Sequence, residues 1–536
     1  FIDRAKTDME SFFASGSYSD KKTLLKFNVI SGTEDTYQAW NGVPKARLEN
    51  NTEEMMRYQN HYLYTEEETQ HMLNSDSRTY NFYTYDNEID HYKQTHYQAF
   101  ISREIIKELN LNLAFNYTKG KGYYEQSKKD KKLADYGLSP AIIGTDTMFN
   151  TDLIQRKWLD NDLFALTYSI DYQNDELKTT LGGSWQNYFG KHYGEIIWAR
   201  YASNSEIRQQ WYNSTGDKQD FNIFGKVEYL LFNQLNLYAD LQYRMINYTI
   251  EGSDDDLPDI SQKHDFSFFN PKFGVNYLLD NNQNFYFTFG TANREPARSD
   301  YVDITEGKSP VHETMYDYEL GYTLAQNNAK ININLYYMDY TNQLVKTGKI
   351  NNVGTAIMTN IPESYRMGIE ISGGIKISKL IDWQANATFS RNKILDFTEY
   401  TDNWETGIQD VIYIGKSNIS FSPEIIAGSQ LIFKPLKDFE IAIISKFVGE
   451  QYIDNSSAKD RMLDAYFVNN IRLNYHFETK LIKRIDFQLL VNNIFDEKYE
   501  TDAWAYRYYY EGGYHNMDGY FPQAGTNLLA GLILSF

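Results

Sequence analysis

NLLAGLILSF, residues 527–536, ends the chain, and RIDFQLLVN, residues 484–492, alternates in the same way before it. In the first run Leu528, Ala530, Leu532, Leu534 and Phe536 share one parity, with Asn527, Gly531 and Ser535 between them. In the second, Ile485, Phe487, Leu489 and Val491 oppose Asp486, Gln488 and Asn492. A third run sets Phe467, Ile471, Leu473, Tyr475 and Phe477 against Asn470, Arg472, Asn474, His476 and Glu478. Strand side chains alternate faces, so each run has one apolar wall and one largely polar wall. A soluble sandwich must cover its apolar face with a second sheet. A closed barrel in lipid turns that face outward around a polar lumen, and a chain ending flush on an apolar strand with an aromatic terminus suits it.

The pattern recurs upstream. Leu109, Leu111, Leu113, Phe115 and Tyr117 alternate with Asn110, Asn112, Ala114, Asn116 and Thr118. Leu235, Leu237, Ala239, Leu241, Tyr243 and Met245 oppose Asn236, Asp240, Gln242 and Arg244. Ile381, Trp383, Ala385, Ala387 and Phe389 oppose Asp382, Gln384, Asn386, Thr388 and Ser390. Residues 8–31 read as two strands joined at Tyr18–Lys22, followed by a long polar stretch over 32–90. Short connections near 105–108, 173–174, 232–233, 280–282, 326–328, 377–380, 435–438 and 479–482 separate long ones. The long ones lie near 120–160, 189–220, 248–265, 293–314, 342–362, 395–419, 451–462 and 496–523. Short periplasmic turns alternating with long extracellular loops are the signature of an outer-membrane barrel. The reading is all-β: a transmembrane antiparallel barrel spanning 1–536 as one domain, with about 19 strands visible of an expected 22, since single-chain bacterial barrels have even strand numbers.

Composition bounds the alternatives. The 536 residues are 42% hydrophobic with 16% aromatics, 46 of them Tyr, which suits interfacial girdles. No stretch approaches the twenty or so apolar residues of a membrane helix. Without cysteine there is neither a disulfide framework nor a thiolate metal site. A net charge of −20 argues against nucleic acid as a partner. No leader segment is visible, so the chain reads as a mature or truncated envelope protein. No enzyme motif survives. There is no nucleophile elbow, His312–Glu313 lacks a second histidine, and Gly415–Lys416–Ser417 has Asp410 where a phosphate loop needs glycine.

Two loop clusters are candidate sites. Trp504, Tyr506, Arg507, Tyr508, Tyr510, Tyr514 and His515 crowd into the last long loop. They offer stacking faces, hydroxyl hydrogen bonds and one guanidinium for an anionic chelate. The alternative is an aromatic packing cluster, with Tyr506, Tyr508 and Tyr510 on one parity continuing the barrel wall upward. Asp254, Asp255, Asp256 and Asp259 gather carboxylates that a structural calcium ion would accept; a solvated acidic loop tip is the alternative. No other cofactor is expected. Asp280–Asn284 imitates a calcium loop but falls at a tight turn. Arg294, Glu295 and Arg298 begin another loop, where charges more often pair at the rim than touch ligand.

Several stretches resemble TonB-dependent outer-membrane receptors. They are Asp3–Met9, Thr36–Gly42, Gly122–Gln126, Ala292–Pro296, Asn342–Val345, the Asn-Asn-Ile-Phe-Asp element within Val491–Tyr499, and Phe521–Gly525. The final strand ending on Phe536 resembles the barrel-assembly signal of that family. The resemblance implies a plugged barrel in the Gram-negative outer membrane that imports a scarce small nutrient, a ferric siderophore above others. Cobalamin, haem and oligosaccharide or peptide import, a passive pore and a surface-binding barrel are the alternatives. It implies as partners the TonB–ExbB–ExbD system, small-molecule cargo, outer-membrane lipids and in some members a surface lipoprotein. Family members carry a TonB box, a plug and early strands ahead of the region visible here. The resemblance adds Arg294, at its Ala292–Pro296 stretch, to the ligand-contact candidates.

Overall fold

Alternation becomes a wall with two faces. The computed structural model describes all residues except 63, 203–204, 256, 304–308, 352–353 and 480–481. Its main sheet holds 22 strands. Three of these, Gln409–Asn418, Glu500–Tyr510 and Gly513–Pro522, belong to the loops, leaving nineteen in the wall, as the sequence led us to expect. The first eight are β1 Thr7–Ser19, β2 Thr23–Tyr37, β3 Ile89–Ile106, β4 Leu109–Lys132, β5 Asn150–Gln173, β6 Leu177–Ala199, β7 Gln209–Leu231 and β8 Leu235–Gly252. Then come β9 Gln262–Asp280, β10 Gln283–Arg294, β11 Glu313–Ala325, β12 Ala329–Ile350, β13 Ala356–Lys376 and β14 Ile381–Asn403. The last five are β15 Ile425–Leu436, β16 Phe439–Val448, β17 Tyr466–Phe477, β18 Arg484–Asn492 and β19 Asn527–Ser535. Each pairs antiparallel with its neighbours in chain order, and β1 and β19 are each paired on one side among the described residues.

The outer face carries the lipid belt. Phe287 on β10 stands opposite Leu320 on β11, which faces Leu335 on β12, and all three are exposed. Phe115, Leu166, Leu181, Leu241 and Phe273 continue the exposed row on other strands. Exposed apolar side chains in such continuous rows need lipid around them. The opposite parity is wet. Asp171 accepts hydrogen bonds from Asn112 (2.6 Å), Ser169 (2.8 Å) and Thr180 (2.7 Å).

Short turns join the strands at one end, with side chains standing in for backbone partners. Asp20 accepts from the amides of Lys22 and Thr23, and Asn174 from those of Glu176 and Leu177. Asp280 caps its turn in the same way, as the sequence reading held.

The far end departs from expectation. The loop read at 120–160 shrinks to 133–149 and that at 189–220 to 200–208, because β4, β5 and β6 run on for 24, 24 and 23 residues. A strand of 24 residues is roughly 80 Å long, far more than the lipid requires. Above the belt the outer face turns polar, so alternation vanishes from the sequence while the ladder continues. Lys119 there bonds Asp160 (2.6 Å) and Asp162 (2.9 Å). The polar stretch 32–90 is likewise no plain loop. Between β2 and β3 it forms the helices α1 Lys45–Leu48, α2 Thr52–His61 and α3 Glu66–Asn74. Asn51 caps α2, and a Thr65–Glu68 capping box starts α3. Helices of nine or ten residues hold together by burying one face, and Met55, Tyr58, Met72 and Tyr80 form that core with Val43.

Candidate ligand-binding mouth

The last long loop folds into a hairpin, Glu500–Tyr510 against Gly513–Pro522, turned by Glu511 and Gly512 at φ 50° and 73°. Two successive residues with positive φ match the right-handed twist of a hairpin, and glycine at the second takes that conformation without strain. The hairpin does not extend the barrel wall, which corrects the parity argument made for Tyr506, Tyr508 and Tyr510. It bends across the mouth and meets β14 in parallel at Asp402–Tyr508 and Asn403–Tyr509. On its other side it docks the helical loop. Val43 donates to the Tyr520 carbonyl at 2.7 Å, and Tyr520 returns the bond at 2.8 Å. Trp504 donates its indole N–H to the Asn41 carbonyl (2.9 Å), and the Lys45 amide donates to Asp518 (2.8 Å). Burial pushes the Asp518 carboxyl up to about 7.

Of the expected residues, Tyr506, Tyr508, Tyr510 and His515 come together, joined by others that the sequence did not flag, whereas Trp504 docks on the helical loop and Tyr514 packs with Arg507 and Tyr509. Tyr508, fully buried, stacks on Trp404 from the β14–β15 loop with centroids 4.0 Å apart. Tyr506 lies nearly parallel to Tyr508 at 6.1 Å, and its hydroxyl donates to Asp402 at 2.6 Å. The Trp404 indole N–H donates to that hydroxyl at 3.2 Å. His61, at the end of α2, meets the Tyr508 hydroxyl at 3.0 Å, and its ring packs edge-on to Tyr510. Arg507 stacks over Tyr514 at 4.3 Å and reaches Glu399 at 3.3 Å. Tyr514 donates to Asp410 (3.2 Å). An arginine can only donate, so the 3.2 Å contact from Arg57 makes His515 Nδ1 an acceptor. His515 Nε2 then carries the proton and donates to the Tyr510 carbonyl at 3.0 Å. Beneath, Arg461 is buried between Glu399 and Asp454, 2.5 Å from each.

Other loops also touch one another. Trp40, from the helical loop, packs edge-on to Tyr124 of β4 at 5.2 Å and Tyr83 at 6.3 Å. A Cβ placed on Gly354, from the β12–β13 loop, would lie 2.9 Å from the Trp40 Cβ, so a larger side chain there would push Trp40 away. Tyr124 also lines a cavity of about 290 Å³, walled by Lys157, His192, Tyr212, Arg298 and Asp303. Burial holds the His192 imidazole down at about 3, with the Arg298 charge adding to the effect, so it is neutral at physiological pH.

The remaining candidates lie elsewhere. Arg294 pairs with Glu313 at 3.0 Å and its guanidinium also meets the Leu344 carbonyl, so it belongs to the rim and not to the aromatic cluster. Glu295 pairs with Lys218 (2.6 Å) and Arg244 (3.1 Å), and Arg298 with Asp254 (3.4 Å), the rim pairing expected of that loop. Asp255 bonds Lys157 (2.5 Å) and accepts from Trp211 (3.1 Å). Asp259 caps the Ser261 amide, and Asp256 lies outside the described residues. Among the described residues no three His, Asp or Glu converge as a metal site. Trp404, His61 and Asp402 carried no usable signal, since they lie in polar stretches distant in sequence from 504–515.

The family model described as TonB dependent receptor-like, beta-barrel matches residues 24–494. Among solved structures, the fold is similar to the ferric-catecholate import receptor Fiu from E. coli, at 14% identity and TM-score 0.68, covering 99% of this chain and 75% of that one. It is also similar to the siderophore receptor PiuA from Acinetobacter baumannii (12% identity, TM-score 0.66, 98% and 74% covered). The ferric yersiniabactin uptake receptor FyuA from Yersinia pestis is a third (12% identity, TM-score 0.63, 99% and 71% covered). No curated protein sequence matches.

Proposed function

This chain belongs to the TonB-dependent receptors, outer-membrane β-barrel proteins, and on that premise we propose that it imports a ferric siderophore, with energy delivered through TonB. The observation that carries the reading is the mouth itself. Loops that leave the wall after β2, β12, β14 and β18 meet one another and gather an aromatic platform, and a separate cavity of about 290 Å³ lies between β4, β5, β6 and β7 and the loops after β8, β10 and β12. Small-molecule sites begin near 300 Å³, so this volume suits a compact chelate better than an oligosaccharide. Aromatic rings give a chelate contact area at low entropic cost, while hydroxyls and carboxylates orient it. The converged loops argue against a passive pore, whose mouth must stay open to ions.

The test is uptake of radioactive iron supplied as siderophore complexes to the producing bacterium, with and without the gene. Deletion should abolish uptake of at least one complex, and a protonophore should abolish it in the parent strain. Unchanged uptake of every complex tried, with normal uptake of cobalamin lost instead, would move the assignment to a different cargo.

A further inference from the structure

In the cavity of about 290 Å³ between β4–β7 and the loops above them, the fixed charges are already engaged. Lys157 is paired with Asp255 at 2.5 Å and Arg298 with Asp254 at 3.4 Å. Asp303, the fifth charged group among the described lining residues, accepts from Asn351 at 2.9 Å, and burial pushes its carboxyl up towards the neutral form. Arg298 also donates to Ser214 (2.9 Å); its Nε lacks a partner but has no accessible surface on which to meet one. The groups left free are of another kind. Tyr124, His192 and Tyr212 line the cavity from the inward parity of β4, β6 and β7. Tyr212 is only 6% exposed, yet its hydroxyl has no hydrogen-bond partner among the described residues. The Tyr124 hydroxyl and the His192 ring nitrogens are equally without partners there.

A phenol hydroxyl both donates and accepts, and a neutral imidazole donates from one nitrogen and accepts at the other. A carboxylate offers only acceptors and an ammonium only donors. Either would also leave water for a cavity whose counter-charges are taken, a desolvation cost that nothing there offsets. A ligand hydroxyl, which donates and accepts, answers all three free groups without bringing charge. Leu159, Leu257 and Val302 give the C–H face of a ring an apolar wall, and the volume has room for one such ring. We propose that this cavity binds an uncharged ring carrying several hydroxyl groups, the size of a single sugar, and excludes its charged analogues. The proposal rests on the import reading, in which the ring is an arm of the iron chelate.

The experiment titrates the purified full-length protein, in a detergent without sugar groups, with methyl glucoside, methyl glucuronide and methyl glucosaminide at pH 6.5. The three share one ring and are neutral, anionic and cationic; saturation-transfer NMR reads their binding. The glucoside should bind about tenfold tighter than either charged analogue. Tyr212→Phe and Tyr124→Phe each remove one hydroxyl and keep the ring, and each should weaken glucoside binding about fivefold. Tyr18→Phe, exposed in a turn at the opposite end, should change nothing. Equal or tighter binding of a charged analogue overturns the proposal, as does a glucoside that fails to bind or that neither cavity variant weakens. Iron uptake, measured separately, tells this proposal from the import reading. Glucoside binding as expected, with iron uptake independent of the gene, would uphold the cavity as a site for free sugar and count against chelate import. Uptake that needs the gene, with no glucoside binding, would keep import and overturn the cavity site. Where both hold, competition between excess glucoside and the iron complex marks the ring as an arm of the chelate.

Discussion

Asp518 shows how much one side chain can ask of its surroundings. It is held at the hairpin–helix junction by the Lys45 amide, yet burial raises its folded-state value to about 7 from an ordinary 3.8. The folded mouth therefore binds the proton more tightly than the unfolded chain. That stabilisation is complete below 3.8 and is lost as pH rises through about 7. The hairpin should exchange amide hydrogens more slowly at pH 5.5 than at pH 8, after correction for intrinsic rates. Asp518→Asn, which keeps the acceptor oxygen, should remove most of that difference. Gly519 is the second critical position. A Cβ there would sit 1.8 Å from the Asn41 carbonyl oxygen and 2.5 Å from the Trp504 indole nitrogen. Gly519→Ala should cost about 1–3 kcal/mol of docking and make the helical loop a proteolysis target, while the barrel stays intact. A proteolysis pattern equal to the parent's would show that the junction absorbs the methyl group.

At the scale of elements, β10 places opposite demands on adjacent residues. Phe287 faces lipid between Val275 and Leu320, whereas Thr288 faces the lumen. Phe287→Lys should destabilise the barrel by about 2–4 kcal/mol in lipid, and Thr288→Lys by about 0–1. Urea titration of both variants refolded into bilayers measures the difference, and equal costs would contradict the assigned faces. This contrast was legible from alternation alone. The tops of β4 to β6 were not, because ion pairs such as Lys119–Asp160 and rings such as Tyr123 and Trp158 share that outer face without apolar periodicity. The short helices α1 to α3 escaped for a related reason: their apolar face is completed by Val43 and Tyr80, from outside the helices.

For the whole molecule, the question is whether import requires the helical loop and the mouth hairpin to part. Val43 and Tyr520 form a reciprocal hydrogen-bonded pair, for which Cα atoms lie about 5.5 Å apart, within disulfide range. The chain has no cysteine, so Val43→Cys with Tyr520→Cys can form a single disulfide, and the reduced variant controls for the loss of the two buried side chains. Oxidised, this variant should lose uptake while still binding cargo at the surface; a thiol reductant should restore uptake. Full uptake in the oxidised state would mean that these two loops move together, as one lid. Alternation with period two and the rhythm of short and long connections were enough to determine a membrane barrel of about nineteen visible strands, because lipid imposes a one-dimensional rule on every spanning strand. The aromatic richness of 504–515 was equally plain, though not its use. Which rings stack, that Trp404 and His61 join them and that Arg294 pairs at the rim were decided by tertiary structure alone. The contacts of Trp404 and His61 with the hairpin join residues more than a hundred apart, through loops whose sequences answer to their partners and to no repeating environment.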